Sequence, residues 1–76
     1  MTSYELWDMR SRNLVGGFAT EAEALAVVRE AIRRHGRGYA DDLFLGCERR
    51  GRSTPIAQGQ ALAERALAAE KRAVAT

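Results

Sequence analysis

The segment that constrains the fold most runs from Thr20 to Gly36 and reads TEAEALAVVREAIRRHG. Thr20 can cap a helix, and a glutamate follows three residues later, which is the spacing of a capping box. Apolar residues then recur every three or four positions, and Gly36 can adopt the left-handed conformation that ends a helix. The segment therefore predicts an amphipathic helix whose apolar stripe faces a core. The stripe consists of Leu25, Val28 and Ile32.

The residues before this helix predict a β-hairpin. The stretch from Tyr4 to Met9 predicts a strand with Tyr4 and Leu6 on one face and Glu5, Trp7 and Met9 on the other. Residues 10–13 are polar and predict a turn, and Leu14 to Phe18 predicts a second strand. The glycine pair at 16–17 predicts a bulge, or tight packing under Trp7, because paired glycines weaken a regular strand.

The residues after the helix repeat the same arrangement. Residues 36–42 form a connection, Leu43 to Glu48 predicts a third strand, residues 49–52 form a turn, and Thr54 to Gln58 predicts a fourth strand. Pro55 places this last strand at the edge of the sheet, since proline cannot donate to a ladder. An alanine-rich helix is expected from Gln60 to about Ala69. We predict one domain over residues 1–70 and a frayed tail over residues 71–76.

The order ββαββα predicts an α+β fold. Four antiparallel strands with two helices on one face form a two-layer sandwich. The other face, called the helix-free face below, would then be uncovered. Apolar patches on such faces are typical of interaction sites. The residues expected to form this patch are Trp7, Met9, Val15 and Phe44.

Size and composition favour self-association. A chain of 76 residues can bury one modest core, and small domains commonly need an additional source of stability. Cys47 is the single cysteine, so an intramolecular disulfide is excluded, and one histidine with one cysteine excludes a structural zinc site made of cysteine and histidine ligands alone. A homodimer is therefore expected, and a small stable monomer is the alternative. We also expect a cytoplasmic protein, because there is neither a secretory signal nor a membrane-length apolar run.

Arginines suggest a second function. Eleven of the twelve basic residues are arginine, and alanine is frequent, which is typical of a GC-rich bacterial genome. If the loops at 33–37 and 49–52 came together, they could contact phosphates, as in a nucleic-acid-binding accessory protein. The competing interpretation is a solvated surface that nearby acids partly neutralise. The arginines concerned are Arg33, Arg34, Arg37, Arg49, Arg50 and Arg52.

No residue pattern predicts an enzyme, a cofactor or a metal site. Residues 46–53 have the spacing of a phosphate-binding loop, but the residues that follow read as a strand and not as the helix such a loop requires. His35 and Cys47 are expected on different elements. Asp41 and Asp42 are adjacent, and neighbouring carboxylates in extended chain point apart. We therefore predict a non-enzymatic interaction module that self-associates through the helix-free face, with an unknown protein partner as a further possibility.

The stretch YELWDMRSRNLVGGFATEAEALAVVR resembles the front half of a group of small uncharacterised bacterial proteins known from sequence. Their pattern is an aromatic strand, an acid, a Gly-Asn-Leu turn, a glycine and then Thr-Glu-x-Glu-Ala-Leu. Arg12 stands where the pattern has the first of these glycines. The resemblance implies the same front-half fold and no particular activity. The matching positions are Tyr4, Leu6, Asp8, Asn13, Leu14, Gly16 and Thr20 to Leu25.

Overall fold

The predicted α+β fold with the element order ββαββα is confirmed. The computed structural model describes the backbone of residues 2–75 and the side chains of residues 2–71. Its elements are β1 (Thr2–Asp8), β2 (Asn13–Phe18), α1 (Glu21–His35), a 3-10 helix (Arg37–Asp42), β3 (Leu43–Arg49), β4 (Arg52–Gln58) and α2 (Gly59–Ala75).

All neighbouring strands of the sheet are antiparallel, in the order β2-β1-β3-β4. The first strand of each hairpin therefore lies at the centre, and the second lies at an edge. Pro55 is on edge strand β4, as expected. Leu6 pairs with Leu45 and Trp7 pairs with Phe44. Since side chains alternate along a strand, the leucine pair and the aromatic pair lie on opposite faces of the sheet.

Helix α1 begins and ends as the sequence predicts. The Thr20 side chain accepts a hydrogen bond from the Glu23 N–H at 3.2 Å, and its hydroxyl donates to Glu23 Oε1 at 3.0 Å. Gly36 has a φ of 89°, and its N–H donates to the carbonyl oxygen of Ile32 at 2.7 Å. Both ends of the helix thus satisfy backbone groups that would otherwise lack partners.

The hydrophobic core lies between the helices and the leucine-bearing face of the sheet. Of the side chains described, eleven hydrophobic ones are buried, and four of these are alanines. The largest that are fully buried are Leu6, Leu45, Leu62 and Val28. Neither tryptophan, tyrosine nor phenylalanine is among the buried residues. The core is therefore small, and the bulkiest side chains lie at its margin or outside it.

Two segments differ from the sequence-based expectation. Helix α2 continues to Ala75, so its predicted end near Ala69 is too early. Residues 71–75, expected to be part of a frayed tail, continue this helix, and Thr76 lies outside the described residues. Alanine, glutamate, lysine and arginine are strong helix formers, which explains the extension. The connection at 37–42 is a 3-10 helix with Ala40 buried. Within residues 2–75, neither α-helix is long and apolar enough to cross a membrane.

The predicted irregularity at the glycine pair is present in β2. Leu6 pairs with Gly16 and Trp7 with Leu14, so Val15 is the extra residue of a β-bulge. A Cβ atom added to Gly16 would lie 3.0 Å from Cζ of Phe18. The tight packing at this glycine therefore involves the ring of Phe18 and not Trp7.

Candidate functional site

The helix-free face carries three apolar side chains in line across three strands. Trp7 of β1 lies between Leu14 of β2 and Phe44 of β3, because both are its cross-strand partners. Trp7 and Phe44 are half-buried, and 49% of Leu14 is exposed. We call these three residues the apolar row. Directly opposed side chains on one face are close neighbours, so the row forms one surface.

The ring of Phe44 extends along its own strand as well. A Cβ atom added to Gly46 would lie 3.1 Å from Cε1 of this ring. The ring therefore covers the backbone of Gly46, which is buried although no helix covers this face. Glycine at this position lets an aromatic side chain lie flat on the sheet.

Acidic residues occupy the other end of the helix-free face. Glu5 lies between Gly17 and Gly46, and Glu48 lies opposite Ser3. Among residues 2–71, neither glutamate forms an ion pair within 4 Å. The helix-free face is therefore divided into an apolar end and an acidic end.

The four residues predicted to form the patch occupy two kinds of position. Trp7 and Phe44 lie together near the middle of the sheet. Met9 lies in the turn after β1, where its N–H donates to the carbonyl oxygen of Asp42 at 2.7 Å, and Val15 lies in the bulge. About half of each side chain is exposed, 52% for Met9 and 49% for Val15. Leu14 was missed, because the bulge shifts the alternation of β2 by one residue.

The two arginine loops lie at opposite ends of the sheet. The loop at 33–37 leads through the 3-10 helix to the start of β3, where Leu43 pairs with Asp8. The loop at 49–52 lies beside the other end of β1, where Arg49 pairs with Thr2. A strand of seven residues spans roughly 20 Å. The structure therefore does not bring the two loops together into one continuous patch.

The arginines at the end of α1 have local partners. Arg33 and Arg34 both pair with the carboxylate of Glu30, with Arg34 Nε at 3.1 Å from Oε1. The hydrogen bond from Arg33, followed by that from Arg34, holds the pKa of the Glu30 carboxyl below its ordinary value. Arg37 Nε donates to Gln60 Oε1 at 3.2 Å. These contacts fix the end of α1 and the start of α2.

The arginines at 49, 50 and 52 surround the β3–β4 turn, which we call the arginine turn. Arg49 and Arg52 are directly opposite each other, and Arg50 lies between them with a φ of 52°. With Thr54, these three residues line a surface depression of about 460 Å³. All four residues are exposed.

In the described part of the chain, His35, Cys47 and Asp41 each have a different neighbour. The His35 ring stacks on Tyr39 with centroids 4.6 Å apart, near the start of β3. Half-buried Cys47 pairs with Tyr4, toward the other end of that strand. Asp41 accepts a hydrogen bond from Gln60 at 2.7 Å. Within the described part of the chain, no group of three or more histidine, cysteine or acidic side chains is placed to hold a metal ion.

Comparison with known proteins adds no family to this description. No family model, no curated protein and no solved structure matches the chain. The helix-free face and the arginine turn are therefore interpreted from their own geometry.

Proposed function

We propose that this chain is a non-enzymatic, cytoplasmic interaction module that forms a homodimer through its helix-free face. The observation that supports the proposal is the apolar row, in which the chain's single tryptophan lies on the face that neither helix covers. Large aromatic side chains contribute most of their hydrophobic stabilisation only when buried. A second copy placed against this face would bury them.

The small core also supports the proposal. With four alanines among its eleven buried hydrophobic residues, the core removes few bulky side chains from water. Burial of apolar surface stabilises by about 25 cal/mol per Å². A dimer would add the aromatic pair of Trp7 and Phe44 to the surface that is already buried.

The size of the face indicates a weak dimer. Four strands about 4.8 Å apart, with six or seven residues each, present a face of roughly 450 Å². A standard interface buries about 800 Å² of each partner, counted over protruding side chains. The exposed margins at Met9 and Val15 would enlarge the contact. Association is therefore expected in the micromolar range or weaker.

Charge favours one orientation of the two copies. One possible twofold axis runs parallel to the apolar row, perpendicular to the strands. It places the apolar rows of the two copies against each other and keeps their acidic ends apart. Glu5 then approaches the β1–β2 turn of the second copy, which carries Arg10 and Arg12. An axis along the strands would place the two acidic ends against each other, and burying like charges together is unfavourable. We propose the first arrangement.

Sedimentation and fluorescence test the proposal on the unmodified chain. We expect the sedimentation coefficient to rise with concentration across the micromolar range. Because Trp7 is the one tryptophan, its emission should shift to shorter wavelength over the same range as the indole is buried. A chain that remains monomeric at the highest concentration, with unchanged emission, would refute the homodimer.

A matched pair of lysine variants tests the surface. Leu14→Lys puts a charge into the apolar row at a half-exposed position, so we expect a folded chain that no longer dimerises. Ala26→Lys adds the same charge at an exposed position of α1 and should dimerise normally. Normal dimerisation of Leu14→Lys would show that another surface is used.

A neutral variant tests the orientation. In the proposed arrangement Glu5 faces arginines, so Glu5→Gln should weaken the dimer. In the other arrangement Glu5 faces acids, so the same change should strengthen it. The sign of the change in the dissociation constant therefore distinguishes the two axes.

A further inference from the structure

The backbone conformation of the arginine turn is unfavourable for the residues that form it. Arg50 and Gly51 have φ values of 52° and 78°, so both lie in the left-handed region between the paired residues Arg49 and Arg52. Two-residue hairpin turns of this kind favour Asn-Gly, because asparagine and glycine tolerate the left-handed conformation. An arginine at the first position is less stable there.

The charges of the turn are unfavourable as well. Arg49 and Arg52 are direct cross-strand partners, and like charges in that position destabilise a hairpin. In residues 2–71, the carboxylate ion pairs belong to Arg33, Arg34 and Arg65, so no acid within 4 Å compensates the arginine turn. Two separate costs at one turn indicate a role that stability alone does not explain.

The residues around the depression at the arginine turn are suited to binding an anion. The depression of about 460 Å³ is lined by Arg49, Arg50, Arg52 and Thr54, residues that together carry three guanidinium groups and one hydroxyl. Guanidinium groups bind phosphate oxygens in pairs of parallel hydrogen bonds, and the threonine hydroxyl is a further donor. Among residues 2–71, no carboxylate lines the depression.

We propose that the arginine turn is a binding site for the phosphate groups of a polyanion. Three positive charges on a single turn match two or three neighbouring phosphates better than one carboxylate, which carries a single charge. The proposal is independent of the homodimer, because these arginines lie at the end of the sheet away from the apolar row.

The site is expected to recognise the negative charge of the phosphates and not the base sequence. Tyr39 stacks on His35 at the other end of the sheet. Tyr4, which pairs with Cys47 nearer the turn, packs against the core, so contacts to the phosphate backbone are expected to dominate there. With three arginines, the logarithm of affinity for a single strand should fall against the logarithm of salt concentration with a slope no steeper than about −2.

Fluorescence anisotropy of a labelled single-stranded oligonucleotide at low salt tests the site, with inorganic pyrophosphate as competitor. Arg49→Gln combined with Arg52→Gln should weaken binding by about tenfold or more. Arg33→Gln combined with Arg34→Gln removes the same charge from the other loop and should change binding much less. Urea midpoints of both double variants check folding, and the Arg49/Arg52 variant should be at least as stable as the wild type.

Competition with pyrophosphate distinguishes a small phosphate compound from a nucleic-acid backbone as the ligand. Displacement by pyrophosphate would show that small phosphate compounds occupy the turn. Binding of the oligonucleotide without displacement would identify a nucleic-acid backbone as the ligand. The proposal is overturned if neither probe binds at low salt, or if the two double variants lose equal affinity.

Discussion

The two hairpins have the same plan but use an aromatic ring in opposite ways. In each, a phenylalanine ring lies over a glycine two residues away, Phe18 over Gly16 and Phe44 over Gly46. Phe18 packs against the helix-covered core, whereas Phe44 lies beside Trp7 on the helix-free face. The Phe18 ring therefore contributes to the core of the monomer, whereas the Phe44 ring lies with Trp7 of the first hairpin on the helix-free face.

The turns of the two hairpins differ in how their side chains are compensated. In the first, the Asp8 carboxylate accepts hydrogen bonds from the Arg10 N–H and the Ser11 hydroxyl, both at 3.0 Å. Each turn contains one left-handed arginine, Arg12 with a φ of 61° in the first and Arg50 with a φ of 52° in the second. In the second turn, Arg49 and Arg52 are also direct cross-strand partners of like charge. The comparison indicates that the first turn is stabilised by its own carboxylate, whereas the second leaves the charges of paired arginines uncompensated within 4 Å in residues 2–71.

The largest expected effect concerns the hydrophobic core, to which both hairpins contribute a leucine. Leu6 and Leu45 are cross-strand partners from the two hairpins, and both are at most 1% exposed. Leu6→Ala and Leu45→Ala should each lower the free energy of unfolding by about 2–5 kcal/mol, because each leaves a cavity. Urea titration measures this. A small loss for either leucine would show that its hairpin contributes little to the core.

A smaller effect should distinguish the two glycines. Gly16→Ala forces the Phe18 ring away from its place against the core, so we expect a loss of about 1–3 kcal/mol. Gly46→Ala meets a ring that can turn toward solvent, so the loss should be less than about 1 kcal/mol. Thermal unfolding of both variants measures the difference. Equal losses would contradict the contrast between the two faces.

One substitution in each turn should change the free energy of unfolding by a small amount, with opposite signs. Asp8→Ala removes two hydrogen bonds to the first turn and should cost about 1 kcal/mol. Arg50→Asn relieves the left-handed arginine and the crowding of positive charge, so it should stabilise by about 1 kcal/mol. Urea midpoints of the two single variants, each compared with the wild type, provide the test. A destabilised Arg50→Asn would show that the arginine turn is not strained.

The order of elements was predictable because its signals are local. The capping residue Thr20, the stripe of α1 and the position of Pro55 each depend on neighbouring residues. Leu14 in the apolar row was not predictable, because a bulge of one residue decides which side chain faces Trp7. The separation of the two arginine loops was not predictable either, since it depends on the pairing of β1 with β3.

That pairing also affects how the chain folds. The central strands join Asp8 to Leu43 and Thr2 to Arg49, so the middle of the sheet closes a loop of 35 to 47 residues. Contacts so distant in sequence slow folding. During synthesis, the first hairpin and α1 leave the ribosome before β3 does. Until β3 arrives, the inner edge of β1 is an unpaired strand that can join other chains, and this interval is when the protein is most prone to aggregate.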